Sequence, residues 1–335
     1  MKAETLFHEY REDVLENIHQ GMVCVVDKNG VVASVGDTDW MCYYRSCSKL
    51  IQSLPVIERQ IDKKYGLTEE ETAIFSGSHA ADADHIRVLE SILEKTGLKE
   101  DQMIMLPTYP GRPEDQKKMI QEGKPPRKIY HNCSGKHLGL MLLARELGEP
   151  VEDYWIRNSK TQHEILRVIS QMTDVPAEEI KIGVDGCGVP VYAVPFHAIA
   201  TSYLRLVHPE LISDEVLRNA VIRNIAMLHK YPNMVEGYGK VSTVLTADED
   251  LIAKSGAMGV YTIGIKSMGL GIVFKILDGS QAPFQDGVFH ILQELGYDAQ
   301  KIEKMKEACH FSNVIINDNN EKVGYREPVF SLHKE

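Results

Sequence analysis

Long hydrophobic runs, an excess of basic residues and closely paired cysteines are all missing from this chain of 335 residues. Apolar stretches such as 257–265 stay far short of the 18 or more residues that a membrane-spanning helix needs. The first 20 residues carry charge throughout and lack the apolar core of a secretory signal peptide. The formal net charge of −11 disfavours nucleic acid as a partner, because phosphate binding needs a basic surface. We therefore expect a cytoplasmic protein that binds neither membranes nor nucleic acid.

Motifs for phosphate cofactors are also missing. The sequence holds neither G-x-x-x-x-G-K-[ST] nor a complete G-x-G-x-x-G, and it lacks the H-E-x-x-H pattern of common zinc proteases. The cysteines are scattered, so in a reducing compartment they indicate free thiols or metal ligands rather than a disulfide framework. They are Cys24, Cys42, Cys47, Cys133, Cys187 and Cys309.

Strand patterns lie near both ends of the chain, and helical patterns fill the middle. Residues 21–36 form two β-branched runs around Asp-Lys-Asn-Gly, which predicts a hairpin, and 257–277 predicts a second one. A crossover βαβ alternation is absent, so a doubly wound parallel sheet is disfavoured. We predict an α/β (α+β) fold in which both chain ends build one antiparallel sheet. The single domain, 1–335, then has two lobes: a terminal sheet lobe of about 1–45 and 255–335, and a helical lobe of about 46–254.

The middle of the chain shows helical periodicity with two interruptions. Apolar residues predict a helix over 50–66, and Pro55 inside it predicts a kink or a break. The proline-rich stretch 107–126 predicts a long loop with a short helix inside it. Further helices are expected after Ser78-His79 and over 135–147, 159–172, 197–207, 214–229 and 284–295, with a short strand at 180–184.

Ser46-Cys47-Ser48-Lys49 is the first chemical candidate. On a helix Ser46 and Lys49 would share one face, and a lysine of depressed pKa could take the serine proton. The alternative interpretation is a helix cap followed by a solvated lysine. Lys254-Ser255-Gly256, placed directly before the strand predicted at 257–265, favours catalysis, because serine acyl-transfer enzymes combine S-x-x-K with a late K-[ST]-G.

Two further segments carry polar groups that suit a site. Ser78, in Ser76-Gly77-Ser78-His79, is a second nucleophile candidate, a relay hydroxyl or a plain helix cap. Cys133 and Lys136 would face the same way at a helix start, and Cys187 lies in a glycine-rich bend. Two thiolates and a nitrogen would suit zinc, although buried structural thiols are the alternative and His137 could replace the lysine.

Taken together, these segments resemble the bacterial L-asparaginase II family, the thermolabile, zinc-associated serine–lysine type. The matching segments follow the family's order: RSCSK (Arg45–Lys49), SGSH (Ser76–His79), HNCSGKHLGL (His131–Leu140), GVDGCGVPVYAVP (Gly183–Pro195) and KSGAMGVY (Lys254–Tyr261). The resemblance implies a fold similar to that of β-lactamases and serine-dependent glutaminases. It also implies a homodimer that hydrolyses L-asparagine.

The resemblance also implies roles for individual residues. Ser46 and Lys49 match one catalytic pair, and Ser78 and Lys254 match the other. The implied zinc ligands are Cys133, Lys136 and Cys187, while the residues implied to contact or orient the substrate are Arg45, His79 and Asp185. One departure stands out, because the family usually has Ser-Gly-Glu where this chain has Ala80-Ala81-Asp82.

The expected chemistry is hydrolysis of the asparagine side-chain amide through an acyl-enzyme. Ser46 is the expected nucleophile, and its own N–H together with one from the strand after Lys254 would form the oxyanion hole. Zinc is expected to orient the α-amino or α-carboxylate group of the substrate, or to structure the pocket. Two alternatives remain open: an amidohydrolase in which zinc-bound water attacks, and a non-catalytic amino-acid-binding protein.

Overall fold

The computed structural model describes residues 2–334, so the first and last residues of the predicted domain lie outside the described range. Its strands are β1 (Glu4–Arg11), β2 (Val14–Asp27), β3 (Gly30–Val35), β4 (Met41–Tyr43), β5 (Lys181–Val184), β6 (Pro190–Pro195), β7 (Leu251–Gly256), β8 (Val260–Ile265), β9 (Leu270–Ile276), β10 (Val314–Ile316), β11 (Lys322–Pro328) and β12 (His333–Lys334). None of the helices within 2–334 combines the length and the apolar character that crossing a bilayer requires.

Helices occupy most of the segment between β4 and β7, and two more follow β9. They are α1 (Lys49–Gln52), α2 (Leu54–Glu58), α3 (Ile61–Lys64), α4 (Glu69–Ala73), α5 (Ala83–Thr96), α6 (Pro113–Gln121), α7 (Ser134–Glu146), α8 (Lys160–Thr173), α9 (Phe196–Val207), α10 (Glu215–Lys230), α11 (Val241–Thr246), α12 (Phe284–Glu294) and α13 (Ala299–Ala308). A 3-10 turn over Arg45–Ser48 leads directly into α1.

The larger sheet is antiparallel and draws its strands from both chain ends, which confirms the predicted fold class. Its order is β10-β11-β1-β2-β9-β8-β7, and β3 pairs with both β2 and β12. Within it, Val23 of β2 lies opposite Phe274 of β9. A smaller antiparallel sheet, ordered β4-β6-β5, lies outside it.

The centre of the large sheet is buried on both faces. Along β2, Met22 and Cys24 belong to the core shared with the helical block, whereas Val23 and Val25 belong to the core under α12 and α13. This alternation follows from the two-residue period of a strand. On the helical side α9 lies very close to the sheet. A Cβ at Gly271 would stand only 2.1 Å from the Ala200 carbonyl oxygen, so glycine is required there.

The predicted break at Pro55 is confirmed, because 49–64 divides into three short helices. Pro55 lies in the first turn of α2, where its missing N–H costs no hydrogen bond. Gln60, with φ +52, then ends that helix in the left-handed region. The predicted short helix inside 107–126 is also confirmed, as α6.

One sequence-based assignment near the C-terminus was wrong. Lys254 does not precede a strand at 257–265 but lies within β7, and β8 begins only at Val260. The reason is a tight turn between them, in which Met258 and Gly259 both have positive φ. The sequence pattern after 295 is weak and predicts no element, whereas the structure has α13, β10, β11 and β12 there.

Candidate functional site

Ser46 follows a sharp turn between β4 and the helical segment 45–52. Arg45, directly before it, adopts φ +51, a left-handed conformation that is costly for a residue with a Cβ. Behind Ser46, the buried Cys47 thiol donates to the Lys254 carbonyl oxygen at 3.2 Å, so the turn packs against β7. Burial raises the pKa of Cys47 to about 12, which keeps it a thiol and argues against a nucleophilic role.

Ser78 lies in an extended segment after the 3-10 turn Ile74–Ser76. Its backbone N–H donates to the Val235 carbonyl oxygen at 2.8 Å. The preceding residue, Gly77, lies against the same loop, since a Cβ there would be 2.1 Å from the Met234 carbonyl oxygen. The segment that carries Ser78 is therefore fixed directly against the loop at 234–236.

Lys49 is fully buried and joins these two segments. Its Nζ lies 2.8 Å from the Gly77 carbonyl oxygen, 3.0 Å from Ser78 Oγ and 3.2 Å from the Asn132 carbonyl oxygen. The structure therefore brings Ser78 to Lys49, whereas the family resemblance pairs Ser78 with Lys254. Ser46 lies three residues before Lys49 in the helical segment 45–52, a spacing that places both on one face.

The surroundings of Lys49 favour its neutral form. Burial lowers the pKa of Lys49, and the charges of Lys136 and Lys254 lower it further, although Cys133 acts in the opposite direction. A neutral amine has two N–H donors and one lone pair. Two carbonyl oxygens, those of Gly77 and Asn132, match the two donors, so the lone pair can accept the hydrogen bond of the Ser78 hydroxyl. Lys49 is therefore suited to act as a base.

Ser46, Ser78 and Ser255 line one open cavity of about 650 Å³, which we call the serine cavity. Asn132, Glu236 and Ala257 line it as well. The Ser46 hydroxyl makes no hydrogen bond to any residue within 2–334, so it is free to meet a ligand. The backbone N–H groups of Ser46 and Ala257 also donate no hydrogen bond to the described part of the chain. Two unused donors and a free hydroxyl thus border the same space.

Lys254 and Glu236 form a buried ion pair at the edge of the serine cavity. Lys254 Nζ lies 3.2 Å from Glu236 Oε1 and 3.0 Å from the carbonyl oxygen of Ser255. The Ser255 hydroxyl also donates to Glu236 Oε1. The partner of Lys254 is therefore a carboxylate rather than a serine nucleophile, which gives the two lysines of the site different environments.

Cys133, Lys136 and Cys187 converge behind Asn132, and we call these three residues the thiol cluster. All three are buried, and Lys136 Nζ lies 3.1 Å from Cys187 Sγ. A hydrogen bond from Cys187 holds the pKa of Cys133 well below its usual range, while the same bond and burial raise the pKa of Cys187. Burial opposes the charged form of Lys136, but the adjacent sulfurs outweigh it and raise the pKa of Lys136. These directions favour an ionised Cys133 beside a charged Lys136.

The donor set of the thiol cluster fits a zinc ion. Two sulfurs and one amine nitrogen meet in a buried position, and zinc prefers sulfur and nitrogen ligands. Among residues 2–334, no group of three or more histidine, cysteine, aspartate or glutamate side chains is arranged to hold a metal. A metal here would therefore need the Lys136 nitrogen. His137 is turned away, with Nδ1 2.6 Å from the Tyr154 hydroxyl.

Arg45 and Asp185 bind each other beside the thiol cluster. Arg45 Nε lies 2.9 Å from Asp185 Oδ1, and Asp185 Oδ2 lies 3.8 Å from Lys136 Nζ. Burial disfavours the Asp185 carboxylate, but the Lys136 charge, the Gly186 N–H and the Arg45 charge together outweigh it and lower the pKa of Asp185. Arg45, the residue before Ser46, thus links the cluster to the Ser46 turn. The carbonyl of Asn132, the neighbour of Cys133, links the cluster to Lys49.

The His79 ring, predicted to lie at the substrate, has both nitrogens engaged within the protein. Its Nδ1 accepts from the Ala81 N–H at 3.2 Å, and its Nε2 lies 2.7 Å from Ser134 Oγ. Because the Ser134 hydroxyl donates to the Ile129 carbonyl oxygen, His79 Nε2 must be the donor to Ser134. Burial lowers the pKa of His79 well below its usual range. The ring is a neutral support for the loop that follows it.

Ala81 in that loop has φ +61, the left-handed conformation that glycine adopts without cost. We expect Ala81→Gly to raise the free energy of unfolding by about 0.5 kcal/mol, because relief of strain exceeds the added chain entropy. Urea denaturation measures the change. The matched control, Ala80→Gly, removes a Cβ where φ is not positive and should lower the free energy of unfolding. A decrease for both variants would contradict the prediction.

Sequence reasoning missed Glu236, Ser255 and Asn132 as lining residues. Glu236 has a weak signal, because it is a single acid between Met-Val and Gly-Tyr-Gly. Ser255 is the central residue of the K-S-G motif, but the motif by itself predicts no contact for its hydroxyl. The main contact of Asn132 could not be predicted from its side chain, because Lys49 donates to its backbone carbonyl oxygen.

The chain is similar to several solved structures at low sequence identity. Among solved structures, a glutaminase from Bacillus shares 14% identity at a TM-score of 0.34, covering 87% of this chain and 92% of that chain. A β-lactamase from Mycobacterium bovis shares 12% identity at a TM-score of 0.36, covering 78% of this chain and 88% of that chain. A search of curated proteins gives no match.

The family comparison covers almost the whole chain. A family model described as L-asparaginase II matches residues 7–328. That range includes the serine cavity, the thiol cluster, the small sheet and the large sheet except β12 and the first residues of β1. The chain therefore belongs to the L-asparaginase II family.

Proposed function

We propose that the protein is an L-asparaginase that hydrolyses the side-chain amide of L-asparagine to L-aspartate and ammonia. Membership of an enzymatic family implies an amidohydrolase. The observation that carries the proposal is the 3.0 Å contact between Lys49 Nζ and Ser78 Oγ, in a cavity that Ser46 also lines. A buried lysine of lowered pKa beside two accessible hydroxyls is suited to serine acyl transfer.

Ser46 is the proposed nucleophile, and Ser78 is the proposed relay between it and Lys49. The Ser46 hydroxyl has no partner within 2–334, whereas the Ser78 hydroxyl is already bonded to the base. Attack of Ser46 Oγ on the amide carbon would pass its proton through Ser78 to Lys49. The unused N–H groups of Ser46 and Ala257 would stabilise the oxyanion of the tetrahedral intermediate.

Collapse of that intermediate would break the carbon–nitrogen bond. Lys49 would return its proton to the leaving nitrogen, which departs as ammonia and leaves an aspartyl ester on Ser46. Water would then attack the ester, with Lys49 accepting a proton from the water and giving it back to Ser46 as aspartate leaves. Atoms and charges balance over the cycle, and the lysine ends in its starting state.

The thiol cluster would hold Zn²⁺ through Cys133, Lys136 and Cys187. When bound, zinc would supply a fixed positive charge that orients the α-amino or α-carboxylate group of the substrate, or a crosslink that structures the pocket. Contacts of the protein favour the second of these roles. Lys49 binds the carbonyl of Asn132, next to Cys133, and Arg45 binds Asp185, next to Lys136.

The metal content of the purified protein tests the thiol cluster without reference to activity. We expect about one zinc per chain by elemental analysis, and its loss in Cys187→Ser, because zinc needs both sulfurs and the lysine nitrogen. Cys309→Ser is the matched control, since Cys309 is also buried but lies far away in sequence, after α13. Equal zinc content in both variants would contradict the assignment.

Ammonia release from L-asparagine tests the proposed activity, with L-glutamine as the second substrate. We expect turnover of asparagine by the wild-type protein. Binding of asparagine without ammonia release would favour the amino-acid-binding alternative. Absence of both would direct attention to the Ala80-Ala81-Asp82 departure and to other amides.

A further inference from the structure

Glu236 is the only acidic side chain that lines the serine cavity in residues 2–334. It is 9% exposed, lies outside the serine–lysine machinery proposed above, and faces a space that also borders Ser46 and Ser78. We propose that its carboxylate binds the α-ammonium group of the substrate. Glu236 would thereby restrict the enzyme to amides that carry a free α-amino group. The inference rests on the proposed function, since it concerns how that substrate is recognised.

The position of Glu236 is fixed by its neighbours on both sides. The Val235 carbonyl oxygen accepts the Ser78 N–H at 2.8 Å, so the loop is bonded to the segment of the proposed relay serine. On the other side, the Gly237 N–H donates to Thr243 Oγ1 at 3.3 Å. A carboxylate held in this way is pre-organised and loses little freedom when it binds a ligand.

The two carboxylate oxygens of Glu236 have different environments. Both protein contacts, with Lys254 Nζ and with the Ser255 hydroxyl, go to Oε1. Oε2 makes no hydrogen bond to the described residues, although a carboxylate can accept several. Oε2 is therefore available to a cationic ligand, while Oε1 keeps the side chain in place.

The chemistry of asparagine suits this placement. Its α-nitrogen lies only a few bonds from the amide carbon, so the group that binds the ammonium must lie close to the attacking serine. Glu236 meets this requirement because it lines the same cavity as Ser46, and its loop is bonded to the segment of Ser78. The cation Lys240 lines the same cavity and gives it the positive charge that the α-carboxylate of a zwitterion needs, whereas Arg112, which also lines it, is already paired with Asp82.

A purely structural role for Glu236 is the competing interpretation, because its carboxylate already contacts Lys254 and Ser255. If Glu236 only held Lys254 in place, its removal would weaken every ligand of the cavity to a similar extent. If it binds the ammonium, its removal would weaken only ligands that carry that group. A pair of ligands that differ in the α-amino group therefore separates the two roles.

The experiment measures binding by calorimetry to Ser46→Ala, which removes the proposed nucleophile. The probes are L-asparagine and succinamate, which is the same amide without the α-amino group. We expect asparagine to bind at least about 100-fold more tightly, because the analogue desolvates Glu236 Oε2 without giving it a partner. Addition of Glu236→Gln should reduce this ratio to within about fivefold, and Glu236→Asp should restore part of it.

Other outcomes would overturn the inference. An unchanged ratio in the Glu236→Gln background, or equal weakening of both probes, would mean that the ammonium is bound elsewhere and that Glu236 only positions Lys254. Absence of asparagine binding would overturn it as well. Failure of the proposed function is distinguishable, because it would abolish ammonia release by the wild-type protein while leaving the binding ratio of the two probes intact.

Discussion

Replacement of Ser46 by alanine is expected to lower kcat for ammonia release from L-asparagine by at least about 1,000-fold, the usual scale for loss of an activated nucleophile. The physical reason is that Ser46 has a free hydroxyl, an unused N–H and a lysine on its own helical face. KM should change little, because the serine contributes chiefly to the transition state. Initial-rate assays with matched unfolding curves measure both parameters.

Ser48→Ala is the matched control for that experiment. Ser48 lies on the same turn, but its hydroxyl is buried and donates to the Arg45 carbonyl oxygen at 2.8 Å, so it should retain most activity. Mass spectrometry of a trapped acyl-enzyme should place the label on Ser46. A label on Ser78 would reverse the roles of the two serines, as the contact of Ser78 with Lys49 permits. Full activity of Ser46→Ala with loss in Cys187→Ala would favour attack by zinc-bound water.

Lys49→Arg is expected to reduce kcat/KM by at least about 1,000-fold even though it keeps a positive charge. A guanidinium stays protonated at every working pH and offers no lone pair to Ser78. Lys49→Met tests the same loss with a side chain that fits an apolar site more easily. Comparable thermal midpoints of the variants and the wild type separate lost chemistry from lost folding.

The pH dependence of kcat/KM shows whether the neutral or the charged form of Lys49 is the active one. Burial lowers the pKa of Lys49, so the neutral base accumulates as pH rises through a value below the ordinary 10.5. The kcat/KM of the wild-type protein should therefore rise with pH and level off below pH 10.5, the ordinary pKa of a lysine. A profile that falls with pH over the same range would mean that the charged ammonium is the active form.

The site could be predicted from the sequence where its chemistry lies within a few consecutive residues. Ser46 and Lys49 share a helical face by spacing alone, and the late K-S-G motif adds Lys254. The pairing of these groups could not be predicted. Ser78 meets Lys49 only because Gly77 allows close contact with the loop at 234–236. The partner of Lys254 is Glu236, which is distant in sequence and carries no motif.

The fold was predictable where the apolar pattern is strong and not in the strands whose side chains are charged and only half buried. The two predicted hairpins supply β2, β3, β8 and β9, whose side chains fill both cores. β1 and β11 mix charged and half-buried residues, as Arg326 and Glu9 show, so their alternation is obscured. The three zinc-ligand assignments came from the family resemblance and remain predictions, because Cys133 and Cys187 have no spacing of their own that specifies a metal.

The order of strands in the large sheet has a consequence for synthesis on the ribosome. β2 is synthesised early and lies between β1 and β9 in the sheet. β9 follows it in the chain only after more than 200 residues. At ordinary translation speeds the apolar hairpin of β2 and β3 would wait on the order of 10 seconds or more before β9 covers its open edge. An exposed, unpaired strand edge is a template for aggregation. The nascent chain should therefore depend on chaperones that shield this hairpin until the last third of the protein has left the exit tunnel.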